Sequence, residues 1–306
     1  MIIDAHAHLG DVLWPDGGRV IGGKGLTSSF FLDPISLDEA LVFREPKTFG
    51  SLLQRLLVKR ITRAEQARSA CASLENMVAS MDKNAVSHCV CLPVAPYVFF
   101  EDIVPSAAET PGLLPFTTVC FHLDDKMEKV LKEDAQAGAA GVKLHSILQN
   151  TSYTDPVTYS ALEVIQSLGL PVLFHCGVWA YHLPKDPARD TPHLGQVSYA
   201  KKMVADFPEL RFIAGHAGLF DVREVIRELA GFKNVVVDTS FQPPETIRDL
   251  VAAFGPDRVL FGSDWPFGNQ APCIKSVNLA CKNDKPLANR IFHDNAAELF
   301  GITNRT

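Results

Sequence analysis

The sequence predicts a single (β/α)₈ barrel, in which eight parallel strands alternate with helices. Short apolar runs alternate with longer amphipathic stretches along the whole chain, which is typical of βαβ units. Eight of these runs qualify as strands, and eight repeats favour a closed barrel over an open sheet. The length of 306 residues is compatible with one such barrel.

The predicted strands are rich in Val, Ile, Leu and Phe and form continuous apolar runs. Strands of a parallel sheet have this composition because helices cover both faces of the sheet. In chain order the predicted strands are residues 2–6, 87–93, 114–121, 141–145, 171–175, 211–216, 234–239 and 258–264.

Amphipathic stretches separate these strands, and most of them end at a glycine or a proline. Glycine is a common helix stop because it adopts the left-handed backbone easily, and proline cannot continue a helix. Residues 101–112 give the weakest helical pattern. The other predicted helices are residues 62–84, 125–137, 157–168, 197–207, 221–230, 244–254 and 289–300.

Residues 10–60 interrupt this alternation directly after the first strand. They contain no clear strand, but they contain two glycine pairs and an apolar cluster at residues 30–32. Long loops of compact domains usually act as lids or are disordered. We interpret residues 10–60 as a lid inserted into a single barrel domain that spans residues 1–306.

Composition and charge exclude several classes of protein. The chain is 47% hydrophobic and 21% charged, with a net charge of −6 and an isoelectric point near 5.9. This balance argues against nucleic acid binding, which requires a basic surface. No stretch resembles a membrane span or a secretion signal. Seven cysteines without a CxxC pair indicate reduced thiols, so we expect a cytoplasmic protein.

Five of the eight predicted strands end in a titratable or metal-binding side chain. Barrels of this class carry their active sites at the carboxyl ends of the strands. His6 and His8 lie two residues apart on the first strand and therefore share one face of it. The residues at the five ends are His6 and His8, Lys143 and His145, His175, His216, and Asp264.

These side chains indicate a metal centre. Imidazole and carboxylate groups are ligands that suit Zn²⁺, Mn²⁺ or Fe²⁺. Three histidines and one aspartate would leave room for a water molecule, whose pKa falls to about 7 on such an ion. A further histidine beside the ion could act as a general base or polarise a substrate carbonyl.

The motifs resemble those of the amidohydrolase superfamily, and more narrowly the amidohydrolase-2 group that includes aminocarboxymuconate-semialdehyde decarboxylase. The most specific motif is LFGSDWP at residues 260–266. The resemblance covers nearly the whole chain apart from the insertion at residues 10–60. The other motifs are IDAHAH at residues 3–8, GVKLH at 141–145, PVLFH at 171–175, AGHAG at 214–218 and IFHDNAAELFG at 291–301.

The resemblance implies a role for each residue. His6, His8 and His175 would be nitrogen ligands of one divalent metal ion, with Zn²⁺ favoured and Mn²⁺ as the alternative. Asp264 would be the fourth ligand or would act as a base toward the water on the metal. His216 would be the catalytic histidine beside the ion. Binuclear relatives offer a carbamylated lysine at the strand of Lys143, but the amidohydrolase-2 group usually lacks that bridge, so we predict one metal ion.

Three further residues are predicted to contact the substrate: Lys143, His145 and Trp179. A lysine inside a barrel must be paired, so Lys143 could instead form an ion pair with Asp264 or Asp238. His145 lies nearer to the barrel mouth, and Trp179 lies in the long loop after the fifth strand. Asp238 ends the seventh strand and is either structural or orients a ligand histidine.

Three functions are open on the sequence. The first is a metal-dependent hydrolase, in which metal-activated water attacks an ester, lactone or amide carbon of a small molecule. The second is a non-oxidative decarboxylase of a small aromatic or muconate-type acid. The third is a non-catalytic barrel that binds a small molecule. Arginines of the lid would favour an acid substrate, with Arg19, Arg44, Arg55 and Arg60 as candidates. By analogy with other lidded barrels, a homodimer is expected.

Overall fold

The structure is a computed structural model that describes residues 1–28, 30, 32–42, 50–122 and 126–303. Strands and helices alternate along the described chain. The strands are β1 Ile3–Ala7, β2 His88–Cys91, β3 Leu113–Pro115, β4 Thr117–Thr118, β5 Val142–Leu144, β6 Val172–Phe174, β7 Phe212–Ala214, β8 Val235–Asp238 and β9 Val259–Leu260.

The helices lie mainly between consecutive strands, as the sequence predicts. They are α1 Pro34–Val42, α2 Gly50–Ser69, α3 Leu74–Asn84, α4 Phe100–Glu109, α5 Met127–Gln136, α6 Pro156–Leu168, α7 Val197–Asp206, α8 Val222–Leu229, α9 Pro244–Phe254, α10 Gln270–Cys281, α11 Lys285–Asn289 and α12 Asn295–Phe300. A 3₁₀ helix at Gly17–Gly22 precedes α1, and a π-helical turn at Arg290–Asp294 joins α11 to α12.

All strand pairs are parallel, in the orders β1-β2-β3 and β4-β5-β6-β7-β8-β9. The strands β3 and β4 are two halves of the strand predicted at residues 114–121, interrupted at Phe116. Hydrogen bonds connect this divided strand to both of its neighbours. The Phe116 N–H donates to Cys91 O (3.0 Å), and the Thr117 N–H donates to Gly141 O (2.9 Å). The two halves therefore occupy one strand position of the barrel.

The last strand returns to the first. The Ala5 N–H donates to Phe261 O (2.9 Å), and the Asp264 N–H donates to His6 O (2.7 Å). These bonds close the sheet on itself, so no strand is left with an unpaired edge. The predicted (β/α)₈ barrel is confirmed, with helices on its outer face.

A β-bulge in β1 decides which way the two histidines point. Between Asp4 and Ala7, β1 has one residue more than the facing segment of β2. Ile3 and Ala5 pack in the apolar cluster inside the barrel, whereas Ala7 packs outside it. An extra residue re-aims the side chains that follow. His6 and His8 consequently face the barrel interior at its mouth.

The segment after β1 contains more helix than the sequence predicts. Helix α2 begins inside the predicted lid and continues past residue 60 to Ser69, and residues 70–73 separate it from α3. The prediction of one helix over residues 62–84 is therefore wrong. The Ser73 side chain caps α3 by accepting the Asn76 N–H (3.3 Å). The lid boundaries themselves stay a prediction.

Several smaller predictions have outcomes as well. The weak helical pattern at 101–112 corresponds to α4, whereas α10 was not predicted. Phe31, Arg44 and Asp125 lie outside the described residues.

All seven cysteines are free thiols, as expected. Within the described chain, every helix is too short or too polar to cross a membrane.

Candidate metal centre

The predicted site residues at the ends of the last strands adopt an unusual backbone. His216 follows β7 with φ 59°, and Asp264 follows β9 with φ 58°. This left-handed conformation costs a residue other than glycine on the order of 1 kcal/mol, and it is concentrated at functional sites. In both cases the sharp turn brings the side chain over the barrel mouth.

Two histidines and an aspartate converge at this mouth. His6 Nε2 and His8 Nε2 each lie 3.2 Å from Asp264 Oδ1, which has no hydrogen-bond partner although it is buried. The other nitrogen of each ring is occupied. His6 Nδ1 lies 2.8 Å from Asp238 Oδ2, and His8 Nδ1 lies 2.8 Å from Leu92 O.

These partners determine where each imidazole carries its proton. Carboxylate and carbonyl oxygens only accept hydrogen bonds, so the neutral rings of His6 and His8 hold their protons on Nδ1. Each Nε2 then presents a lone pair to Asp264 Oδ1. Burial raises the pKa of Asp264 well above its usual value, so the ionised carboxylate is costly here unless a cation accompanies it. A cation bound between these three acceptor atoms would stabilise the ionised carboxylate. The donor set therefore fits a divalent metal ion.

The pKa shifts of the histidines point the same way. Burial, with the charge of Lys143 adding to it, lowers the pKa of His6 and of His8 well below the usual value. Burial also lowers the pKa of His175 to about 3 and places that of His216 well below its ordinary value. All four rings are therefore neutral at pH 7, which is the form that binds metal.

His216 lies on the other side of Asp264. Its Nδ1 is 3.6 Å from Asp264 Oδ2 and 3.1 Å from Ser240 Oγ. One ligand atom from each of His6, His216 and Asp264 lies within 4.8 Å of the others. Asp238 accepts the His216 N–H (3.2 Å) as well as the His6 proton. The geometry therefore favours the interpretation that Asp238 orients a metal-binding histidine.

His145 and His175 form a second pair beside this group. Their rings are stacked, with centroids 4.2 Å apart and planes inclined by 9°. His175 Nε2 lies 2.9 Å from Gly177 O, so its Nδ1 carries the lone pair. That Nδ1 lies 3.4 Å from the Tyr181 hydroxyl oxygen, and the ring lies 5.1 Å from that of His216.

Lys143 lies fully buried inside the cluster. Its Nζ is 3.3 Å from His6 Nε2. Burial lowers its pKa to about 8, while the charges of Asp264 and Asp238 act in the opposite direction. The atom that Lys143 Nζ contacts is a nitrogen of the predicted ligand His6, and the ion pair with Asp264 or Asp238 stays a prediction.

Aromatic side chains surround the histidines on the mouth side. Phe267 lies 5.7 Å from the His8 ring, and Phe241 lies 6.0 Å from the His216 ring, measured between centroids. Trp179 lies further out, against Phe220. Its Nε1 donates to Glu65 Oε2 (2.9 Å), so Trp179 presents only its apolar ring to a substrate.

Of the arginines proposed from the sequence, the structure describes the side chains of Arg19 and Arg60. The Arg19 side chain is 82% exposed and lies 3.6 Å from Asp16. Arg60 is also exposed, and the Arg55 side chain lies outside the described residues. The buried arginine of this region is Arg68, which donates to Phe267 O (2.5 Å). Its charge is paired with Asp33, 2.6 Å away.

Glu65 was not among the predicted site residues, and Tyr181 was singled out only as part of the loop that carries Trp179. Tyr181 lies in the loop after the strand of His175, and this position was the available signal for it. Glu65 carries no signal, because a glutamate on an amphipathic helix usually faces water. Here burial raises the pKa of Glu65 to about 8.

A family model described as Amidohydrolase matches residues 3–302 of the chain. The chain therefore belongs to the amidohydrolase family, as the motifs predicted. It is accordingly a metal-dependent enzyme of the amidohydrolase type, which disfavours the non-catalytic barrel. A comparison with curated protein sequences found no significant match.

Solved structures of low sequence identity share the fold. A 2,6-dihydroxybenzoate decarboxylase from Rhizobium is 17% identical, with 98% of each chain covered and a TM-score of 0.66. A 5-carboxyvanillate decarboxylase from Novosphingobium aromaticivorans, complexed with manganese and a nitrobenzoic acid, is 14% identical, with 99% of this chain and 96% of that chain covered and a TM-score of 0.66. A probable 2-pyrone-4,6-dicarboxylic acid hydrolase from Acinetobacter baumannii is 14% identical, with 98% and 99% covered and a TM-score of 0.58.

Proposed function

We propose that the chain is a metal-dependent, non-oxidative decarboxylase of a small aromatic acid. The observation that carries this proposal is the enclosure of the histidine–aspartate cluster beneath aromatic rings. His6 and His175 expose no surface, and Asp264 exposes 4%. A substrate carboxylate held among these buried groups would be separated from water, which favours a transition state that spreads its charge into the ring. Hydrolysis would instead require water to reach the same buried groups as a reactant.

One divalent ion, Zn²⁺ or Mn²⁺, would be held by His6, His8, His175 and Asp264. The two Nε2 lone pairs and the unpartnered Asp264 Oδ1 support this assignment. His216 is the alternative nitrogen ligand, because it lies within the same group of ligand atoms. When bound, the ion would supply a Lewis acid that holds a substrate oxygen.

The reaction breaks the bond between the ring carbon and the carboxylate carbon. Carbon dioxide leaves, and a proton takes its place on the ring. Asp264 and His216 would hold that proton at Oδ2 and Nδ1, which lie 3.6 Å apart. The buried ammonium group of Lys143 would offset the negative charge that develops on the substrate.

The structural neighbours support decarboxylation more than hydrolysis, since two of the three described above are decarboxylases of aromatic acids. Hydrolysis of a lactone or ester, the first hypothesis from the sequence, is the second candidate. The Acinetobacter neighbour favours it, because that protein is a probable hydrolase of a pyrone dicarboxylic acid. The two candidates share one set of metal ligands.

A substrate panel separates the two. Purified protein loaded with Zn²⁺ or Mn²⁺ is given carboxylated phenols, lactones and esters, and the release of carbon dioxide is compared with the release of acid. We expect carbon dioxide from one or more phenolic acids, loss of that activity with a chelator, and recovery when the metal is restored. Acid release from a lactone or ester without carbon dioxide from any phenolic acid would replace the decarboxylase by the hydrolase.

A small-molecule substrate follows from either candidate. The homodimer and the cytoplasmic location stay predictions of the sequence.

A further inference from the structure

Tyr181 lies in the loop between β6 and α7, beside the stacked histidines. The residue is 7% exposed, and its ring meets those of His145 and His175 edge-on, at 5.2 and 5.9 Å between centroids. Its hydroxyl oxygen lies 3.4 Å from His175 Nδ1, which is long for a hydrogen bond. A buried tyrosine hydroxyl normally has a good partner, so this one retains the capacity to bind another group.

Buried side chains hold the backbone of Tyr181 from two sides. Its N–H donates to Asp190 Oδ2 (2.6 Å), and its carbonyl accepts from Gln66 Nε2 (2.8 Å). The preceding carbonyl, of Ala180, accepts from the Thr62 hydroxyl (3.1 Å). Because Thr62 and Gln66 both lie on α2, this helix fixes the position from which the phenol enters the site.

A second tyrosine shows what a purely structural role looks like next to the same histidine. The Tyr153 hydroxyl donates to His175 O (2.7 Å) and accepts the Ser146 N–H (3.3 Å). Both bonds go to the backbone, so Tyr153 holds the strand end in place. Tyr181 differs because its hydroxyl faces the imidazole nitrogen that carries the lone pair.

Several histidines of the site have no proton to offer an anionic substrate. His6, His8 and His175 each donate their imidazole proton to a protein oxygen. Those three rings therefore cannot donate to a substrate carboxylate, whose oxygens need hydrogen-bond donors. The neutral hydroxyl of Tyr181 is a donor beside them, on the mouth side of the cluster.

We propose that the Tyr181 hydroxyl donates a hydrogen bond to the substrate carboxylate and thereby selects aromatic acids over uncharged phenols. This inference rests on the proposed decarboxylase function, and it adds a specificity-determining contact that lies outside the metal ligands. Helix α2 contributes to substrate choice, because it holds the loop of Tyr181.

The test compares Tyr181→Phe with the matched variant Tyr153→Phe in manganese-loaded protein. Calorimetry measures binding of 2,6-dihydroxybenzoate and of resorcinol, which is the same ring without the carboxylate. For Tyr181→Phe we expect acid binding about 10- to 100-fold weaker, as for a lost hydrogen bond to a charged group, and resorcinol binding within about 2-fold of wild type. For Tyr153→Phe we expect a lower melting temperature and acid affinity within about 2-fold.

Equal losses for the acid and the phenol in Tyr181→Phe, or no loss for the acid, would overturn the proposal, because the residue would then only pack. The proposal would also be overturned if the wild-type protein bound the acid no better than resorcinol. Wild-type protein that binds the acid preferentially but releases no carbon dioxide would overturn the decarboxylase and leave the role of Tyr181 measurable by binding. The two proposals therefore fail separately.

Discussion

The strand ends of the barrel and the cover above them differ in what their buried polar side chains contact. We define the cover as α2 together with the loop at residues 177–196. At the strand ends, polar groups meet one another: His6 contacts Asp238, and Asp264 faces His6 and His8 with one oxygen unpartnered. In the cover, a polar side chain such as Gln66 pairs with the backbone of the loop.

This difference indicates that the strand ends and the cover have different roles. The strand ends keep acceptor atoms close together, which costs stability unless a cation joins them. In the cover, Thr62 and Gln66 of α2 donate to carbonyl groups of the loop, which helps to hold aromatic side chains such as Tyr181 beside the cluster. Changes at the strand ends should therefore remove metal and activity, whereas changes in the cover should alter stability or substrate affinity while the metal stays bound.

The largest effect is expected from replacing both histidines of β1. In the double variant His6→Ala plus His8→Ala, metal content should fall from about one ion per chain to nearly none, and activity by more than about 1000-fold, because two nitrogen ligands are lost. Elemental analysis and turnover measure this. The control is His88→Ala at the start of β2, which should keep its metal content and its activity. Full metal loading in the double variant would place the ion elsewhere.

A smaller effect is expected from the carboxylate behind the ligands. Asp238→Asn should weaken metal affinity by about 10- to 100-fold, because Asp238 fixes the proton of His6 on Nδ1. Competition with a chromogenic chelator measures the affinity. Asp134→Asn, which alters a carboxylate bonded to Thr117 away from the site, should leave it unchanged. An unchanged affinity in Asp238→Asn would mean that the backbone alone orients His6.

The smallest effect on metal binding is expected in the cover, at Glu65, where a substitution should change only the stability. Burial raises its pKa to about 8 from the ordinary 4.5, so between these values the folded protein keeps a proton that the unfolded chain releases. Its contribution is full below about pH 4.5 and is lost as pH rises to about 8, by at most about 1.4 kcal/mol per pH unit. The pH profile of wild-type stability should therefore fall more steeply than that of Glu65→Gln.

Urea unfolding at several values from about pH 5 to pH 8 gives both profiles. The exposed Glu163 provides the control, since Glu163→Gln should follow wild type. Metal content should be unchanged in Glu65→Gln, which distinguishes the cover from the strand ends. Parallel profiles for wild type and Glu65→Gln would show that Glu65 is ionised in the folded protein.

Local sequence patterns predict those helices and strands whose signals lie within a short stretch of the chain. Helix α9 has the predicted bounds because its apolar spacing and the glycine after it are local signals. The break at residues 70–73 between α2 and α3 was missed, since an apolar pattern continues across it. Helix α10 was missed as well, although its sequence follows directly on the predicted metal-binding turn.

The candidate site was likewise predicted in part, with its residues found from the sequence and their orientations and contacts missed. Barrel topology brings strand ends together, so the sequence alone selected His6, His8, His175, His216 and Asp264 as neighbours. It could not show that a bulge in β1 turns two of them inward, because a bulge is defined by the facing strand. Nor could it show that Trp179 gives its indole proton to Glu65.

The sequence by itself determined the family, the barrel and the set of residues that meet at its mouth. Apolar runs, strand ends and short motifs are each contained in a short stretch of the sequence. Only the tertiary structure decided which nitrogen of each histidine carries the proton and where the Tyr181 hydroxyl points. Those outcomes depend on contacts such as His6 with Asp238 and Tyr181 with Gln66, whose partners are 232 and 115 positions apart. No local pattern encodes them, since folding alone brings such distant residues into contact.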